Sequence, residues 1–190
     1  MPTSHPAQLN EIVTMIMMTR PASMLDVGVG FGKYGFLARE YLEIWGEEER
    51  YAQREVRIDG IEVFERYLTP VHEYVYDNIY VGDAADLLPR MDNGAYDLLV
   101  MCDVLEHFGR EQGERVLEEC LRVSRNVLVS VPRDVTEQGA AFGNEHERHR
   151  SSWTETDFQG EKPSFIYPNQ HSIIAYMGDD ALRLARMLQG

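Results

Sequence analysis

Three glycines at alternate positions, Gly28, Gly30 and Gly32, follow the apolar run Leu25-Asp26-Val27, and a second apolar run, Ile58-Asp59-Gly60-Ile61-Glu62, ends in a carboxylate. This order suits a ligand that carries a nucleoside. Glycines at the end of a buried strand let the backbone turn sharply and bring its N–H groups close to a ligand before a helix begins. A carboxylate at the end of a neighbouring strand can accept hydrogen bonds from both hydroxyls of a ribose. Further on, Asp103, Glu106 and His107 follow another apolar run, and His146, His149 and Trp153 lie in a polar stretch beyond it. Imidazoles titrate in the range where protons are moved near neutral pH, so His107 and His149 are candidate bases, with Asp103 orienting or polarising an acceptor.

Competing chemistries fit less well. The dinucleotide fingerprint G-x-G-x-x-G needs a glycine where Lys33 stands. Asp26, two residues before the first glycine, has no role in holding a pyrophosphate, whereas it suits a cationic ligand. There is no Gly-x-Ser-x-Gly elbow for a hydrolase, and Cys102 lies inside an apolar strand, which argues against a nucleophilic thiol. The two cysteines, Cys102 and Cys120, have neither a metal-binding spacing nor a disulfide framework, so a reducing cytoplasm is the expected setting.

Elements that could position these residues alternate along the chain. Leu9, Ile12, Val13, Ile16 and Met17 recur at helical spacing ahead of a strand from Ser23 to Val27. A helix from Lys33 to Trp45 follows, then a strand from Val56 to Val63. A helix is expected from Phe64 to Tyr76, kinked or restarted by Pro70. Strands at Ile79 to Val81, Tyr96 to Cys102 and Val127 to Val131 follow, with a helix from Arg110 to Val123 between the last two. Such alternation implies a parallel sheet with helices on both faces. After Pro132 the stretch Arg133 to Arg150 has no period and reads as a long loop, of the kind that is functional or disordered. A short helix capped by Thr154, two strands at Ser164 to Tyr167 and Ser172 to Met177 and a helix from Asp180 to Gln189 complete the pattern.

At 190 residues with 44% hydrophobic content, the chain suits one domain with a sizeable core. Within domain 1–190 the expected parts are an N-terminal helix at 1–20, a cofactor-binding core at 23–132, and an acceptor-side loop, hairpin and C-terminal helix at 133–190. No stretch reads as a signal peptide, and no apolar run nears the ~20 residues needed to span a bilayer, so a soluble protein is expected. The formal net charge is −14, the opposite of the basic surface that displaces phosphate counterions from nucleic acid. Arg148 and Arg150 make at most a local basic strip. The run Glu47-Glu48-Glu49 reads as a solvated helix end or loop. Small molecules or proteins are the expected partners.

The segment Asp26-Val27-Gly28-Val29-Gly30-Phe31-Gly32 resembles the first motif of class I S-adenosylmethionine-dependent methyltransferases. The resemblance continues in order through Glu62, Val81-Gly82-Asp83-Ala84 and Tyr96-Asp97-Leu98-Leu99-Val100-Met101-Cys102-Asp103-Val104-Leu105-Glu106-His107, covering roughly Ser23 to Pro132. It implies a Rossmann-like α/β fold, with a seven-stranded, mostly parallel sheet, an antiparallel last strand and helices on both faces. The implied cofactor is S-adenosylmethionine, with S-adenosylhomocysteine as product. Glu62 would hold the ribose and Asp83 the adenine amino group, and the implied cofactor-binding set is Asp26, Gly28, Gly30, Gly32, Lys33, Glu62, Val63, Asp83, Ala84, Asp103 and Val104. Methyl transfer from a sulfonium is an in-line displacement, so the enzyme chiefly aligns the acceptor and, for oxygen acceptors, removes a proton.

The segment His149-Arg150-Ser151-Ser152-Trp153-Thr154 is similar to a His-x-x-x-Trp-Thr segment of many class I enzymes, including small-RNA 3′-terminal 2′-O-methyltransferases. In those RNA enzymes it joins a Glu-x-x-Glu-His segment in binding a divalent metal that engages ribose hydroxyls. Carried over by residue, Asp103, Glu106, His107 and His149 would be the ligands, with Asp103 standing where that family has Glu. Trp153 is expected to anchor the loop against the sheet. The resulting expectation is methylation of a small molecule at oxygen. A metal-assisted RNA 2′-O-methyltransferase and a noncatalytic cofactor-binding protein stand as alternatives.

Overall fold

The computed structural model describes residues 3–45, 54–134 and 137–189, which leaves the Glu47-Glu48-Glu49 run outside the described residues. Helix α1 (Leu9–Thr19) leads into strand β1 (Ser23–Val27), helix α2 (Lys33–Arg39) and strand β2 (Arg57–Glu62). Helix α3 (Pro70–Val75), strand β3 (Asn78–Val81), helix α4 (Ala84–Leu87) and strand β4 (Tyr96–Cys102) follow. Helix α5 (Arg110–Val123), strands β5 (Ser124–Pro132), β6 (Ser164–Tyr167) and β7 (Ser172–Gly178), and helix α6 (Ala181–Gln189) complete the fold.

The seven strands form one sheet in the order β3-β2-β1-β4-β5-β7-β6. Strands β1 to β5 pair in parallel, and β7 runs antiparallel to both β5 and β6. Side chains alternate across each strand, so the sheet feeds two cores. Leu25, Val27, Leu99, Met101, Val127 and Val129 pack with α4 and α5 on one face. Met24, Ile58, Leu98, Val100 and Leu128 pack with α1, α2, α3 and α6 on the other.

Several boundaries differ from the sequence expectation for identifiable reasons. The helix expected from Lys33 to Trp45 is α-helical only to Arg39 and widens into a π-helical turn, Glu40–Ile44. At that switch Arg39 is buried, with its guanidinium on Glu43 at 2.9 Å, on Asp77 at 3.0 Å and on the Val75 carbonyl. Of the two effects expected of Pro70 the structure shows the restart and no kinked continuous helix. Pro70 occupies the first position of α3, where its missing N–H costs nothing, after a separate 3₁₀ turn at Glu65–Tyr67. Strand β5 begins at Ser124, before Val127, because Tyr96 and Ser124 already stand in register. The short helix after the long loop is a 3₁₀ turn, Glu155–Phe158, closed by a capping box between Thr154 and Asp157.

Candidate active site

The parallel strands end together on one side of the sheet, the position at which open α/β sheets bind ligands. A cavity of about 210 Å³ opens there, lined by Gly28, Gly30, Lys33, Glu62, Val63, Asp83, Ala84, Asp103, Val104 and His107, with residues from the N-terminal segment and the long loop. Most of the expected cofactor-binding set thus faces one space. Asp26, Gly32 and His149 do not line it.

The glycine loop is built by conformation and by close approach. Gly28, Gly30 and Gly32 have φ of 77°, 54° and 80°, the left-handed region that side chains resist. A Cβ on Gly28 would also stand 2.4 Å from Cγ2 of Val104. The amides of Gly28 and Val29 donate to the Ile61 carbonyl at 2.9 and 3.2 Å, which ties the loop to the end of β2.

Glu62 stands at that end, nearly buried, and both of its oxygens accept backbone bonds, from Gly30 N–H at 3.0 Å and from Phe64 N–H at 2.8 Å. Burial raises its pKa above the ordinary carboxylate value, and the bonds from Phe64 and Gly30 oppose that rise. Each carboxylate oxygen has a further lone pair, so the group can still accept from a diol. Asp83 caps α4 by accepting from Ala85 N–H at 2.9 Å through Oδ1, and Oδ2 is the atom available for an adenine amino group.

Asp26 takes a different place from the expected one. Alternation along β1 puts it on the same face as Met24, behind the glycine loop, where it is fully enclosed and accepts from the Tyr76 hydroxyl at 2.6 Å. Desolvation pushes its pKa up to about 6. Any influence on a cationic ligand is exerted through the loop and not by contact. The loop has a second support in His72, whose Nδ1 accepts from Thr69 N–H at 3.0 Å, so that Nε2 carries the proton donated to the Gly30 carbonyl at 2.9 Å. Sequence reasoning passed over Tyr76 and His72. The available signal was Thr69-Pro70-x-His72, a helix start whose N3 side chain reaches back to the cap.

Asp103, Glu106 and His107 are spaced three and four residues apart and would share one face of a helical turn, but no such turn begins at Asp103. Asp103 has φ of 54°, and a 3₁₀ turn begins only at Leu105. Its carboxylate therefore points to the N-terminal segment, accepting from Gln8 Nε2 at 2.9 Å, His5 N–H at 3.2 Å and Ser130 Oγ at 3.4 Å. Lys33 reaches the same segment, donating to the Ser4 carbonyl at 2.8 Å, and burial lowers its pKa. Residues 3–8 thus cover the Asp103 end of the cavity, an arrangement with no signature in the sequence.

Glu106, His107 and His149 do converge: one potential ligand atom from each lies within 4.8 Å of the others. The rings of His107 and His149 are 5.2 Å apart. Glu106 is buried, its Oε2 has no hydrogen-bond partner, and burial together with the charge of Asp103 raises its pKa well above the usual range. Its side chain does not cap α5, which starts after Gly109. Its carbonyl instead accepts from the amides of Arg150 and Ser151 at 2.8 and 3.2 Å and so docks the long loop. His107 Nδ1 donates to the Arg148 carbonyl at 3.2 Å, which leaves the Nε2 lone pair available, and burial lowers the pKa of the ring. Asp103 stands outside this cluster, so the expected four-ligand set reduces to three.

Trp153 anchors the loop as expected. Its ring packs on α5 so closely that a Cβ on Gly113 would lie 2.6 Å from it, Arg110 stacks on it at 4.1 Å, and Nε1 donates to Ser151 Oγ at 2.9 Å. Cys102 and Cys120 are free and buried, and desolvation pushes both thiols up, as fits small core residues. Among the described residues no helix is long and apolar enough to cross a membrane.

Comparison with known proteins agrees with this geometry. A family model described as a methyltransferase domain matches residues 25–127. No curated protein matches the sequence. Among solved structures, an S-adenosylmethionine-dependent methyltransferase from Archaeoglobus fulgidus superposes with a TM-score of 0.51 at 19% identity, over 66% of this chain and 51% of that one. An O-methyltransferase family protein from Burkholderia thailandensis gives 0.62 at 11% identity, over 92% of this chain and 58% of that one. The magnesium protoporphyrin IX methyltransferase of Synechocystis with bound S-adenosylmethionine gives 0.59 at 13% identity, over 90% and 78%. The chain therefore spans little more than half the length of the first two. The family match covers the stretch that carries the glycine loop, Glu62, Asp83 and His107, and the chain belongs to the methyltransferase domain family.

Proposed function

We propose that the chain methylates a small molecule at an oxygen atom, with the glycine loop, Glu62, Asp83 and Ala84 holding the cofactor and His107 serving the acceptor. The observation that carries this reading is the placement of His107 in the same cavity as Glu62 and Asp83, with its Nδ1 proton committed to the Arg148 carbonyl. When bound, S-adenosylmethionine supplies an electrophilic methyl on a sulfonium. Glu62 and Asp83 fit such a group because each has an oxygen lone pair beyond those that already hold the backbone. His107 is kept neutral by burial, so Nε2 can accept the proton of an attacking hydroxyl. His149 supports that ring from outside the cavity. The net charge of −14 favours a small acceptor over RNA. The test is turnover of labelled cofactor against metabolite and RNA pools, with a transfer product from the RNA pool alone counting against this reading.

One observation favours a second arrangement of the same site. Glu106 Oε2 is buried and unpartnered beside two imidazoles, and a carboxylate with two nitrogens is a donor set that suits a divalent first-row cation. Glu106, His107 and His149 would hold such an ion, which would polarise an acceptor hydroxyl. The Arg148 carbonyl, by accepting from His107 Nδ1, would then orient the ligand. Turnover that survives a chelator supports His107 as base, and turnover lost to a chelator and restored by a divalent metal supports this arrangement.

A further inference from the structure

We infer that Tyr67 is a positioning residue that latches the long loop across the mouth of the cavity and thereby sets how fast cofactor leaves. The inference rests on the cofactor reading above. Tyr67 ends the 3₁₀ turn Glu65–Tyr67, which starts three residues after Glu62, and its amide donates to the Phe64 carbonyl at 2.9 Å while the Phe64 amide donates to Glu62. Rings of Phe64 and Phe31 lie 4.9 and 6.1 Å from its own. Tyr67 is therefore rigidly joined to the ribose-binding end of β2.

Its hydroxyl reaches in the other direction, into the loop. Tyr67 Oη donates to Glu147 Oε1 at 2.9 Å and accepts from Asn144 Nδ2 at 3.3 Å. Glu147 and Asn144 are both buried. The loop is internally braced, by Gln138 Nε2 donating to the Glu147 carbonyl at 2.7 Å and His149 N–H donating to the Gln138 carbonyl at 3.0 Å. It is docked at two places. One is the β4 side, where Glu106 and His107 bond Arg148, Arg150 and Ser151. The other is Tyr67, on the β2 side. Because His107, Arg150, Glu147, Asn144 and Tyr67 all line the cavity, the span between the two anchors crosses its mouth.

The Tyr67 anchor works against a repulsion. The charges of Glu147 and Glu62 oppose one another across the cavity, which adds to the rise in the Glu62 pKa. A donated O–H bond offsets the cost of keeping Glu147 enclosed beside that neighbour. Removing the hydroxyl takes away the bond and leaves the repulsion.

The test is hydrogen–deuterium exchange of the full chain, wild type and Tyr67→Phe, with and without S-adenosylhomocysteine, together with the dissociation rate of that ligand. Phenylalanine keeps the ring contacts, so the variant is expected to fold, with a melting temperature lowered by only a few degrees. Loss of one hydrogen bond to a charged group predicts exchange about tenfold faster in residues 138–150, and S-adenosylhomocysteine leaving faster by a similar factor. Glu147→Gln retains an acceptor for the Tyr67 hydroxyl and should keep most of the protection. Unchanged exchange in 138–150 overturns the latch, as does a loosened loop with an unchanged dissociation rate. Failure of the wild type to bind S-adenosylhomocysteine overturns the cofactor reading instead and with it the claim about release, while the exchange comparison still decides whether Tyr67 holds the loop.

Discussion

The amide of Gly30 donates to Oε2 of Glu62 at 3.0 Å, so the glycine loop and the carboxylate that ends β2 form one bonded unit. With Glu62 in its proposed place beside the cofactor, a substitution there is expected to act twice, on the ligand and on the loop. Glu62→Gln presents one oxygen and one NH₂ group to two backbone donors, Gly30 and Phe64, and one of those N–H groups must lose its acceptor. The expected cost in S-adenosylhomocysteine affinity is ~1.5–3 kcal/mol, the range for hydrogen bonds to charged groups. Calorimetry checks this, and a glutamine variant that binds like the wild type would remove Glu62 from the cofactor site.

Asp26 should make the protein less stable as pH rises through the acid range. In the unfolded chain an aspartate titrates near ~3.9, and in the native state Asp26 titrates at about 6. Between those values the native state binds the extra proton, so stability falls from about pH 4 to about pH 6 and is level above. Asp26→Asn removes that penalty while its oxygen still accepts from Tyr76, and should raise stability at pH 7 to 8 by at most ~3 kcal/mol. Urea denaturation against pH is the measurement. The slope between pH 4 and 6 should flatten in the variant, and an unchanged slope would place the titration elsewhere.

His107 and the cofactor groups should separate kinetically. His107→Ala is expected to lower turnover by ~10²–10⁴-fold, the usual cost of losing a general base, while S-adenosylhomocysteine affinity changes by only a few fold. The opposite pattern, affinity lost and turnover kept at saturating cofactor, would make His107 a cofactor contact.

Trp153 and Gly113 should behave as a packed pair. Gly113→Ala places a methyl 2.6 Å from the indole and should cost ~1–3 kcal/mol by overpacking. Trp153→Ala should cost ~3–5 kcal/mol as a large-to-small change in a buried site. In the double variant the alanine at position 113 no longer meets the ring, so its cost should largely vanish. Additive costs in thermal or chemical denaturation would show that the two do not touch.

The strands were legible because a parallel sheet covered on both faces demands uninterrupted apolar runs, and Leu98-Leu99-Val100-Met101 is such a run. The glycine loop was legible because left-handed backbone selects glycine. The facing of Asp26 was legible too, since alternation from Met24 decides it, but the chemistry of the motif drew attention to the ligand. The separation of Asp103 from Glu106 was not legible. It depends on one residue of left-handed backbone and on partners, His5 and Gln8, from the far end of the chain. The same holds for the bond from Tyr67 to Glu147, which joins two segments with no shared pattern.

The place of β7 between β5 and β6 has a consequence for the order in which the sheet can be finished during synthesis. Strand β6 leaves the ribosome first, yet β7 is its pairing partner in the sheet, so residues 164–167 must wait, with open backbone groups, until residues 172–178 have followed. A chain stopped anywhere between those strands would expose the unpaired edges of both β5 and β6, the kind of surface that recruits other chains. Premature termination there should yield aggregates, and not a shorter protein with a working cofactor half.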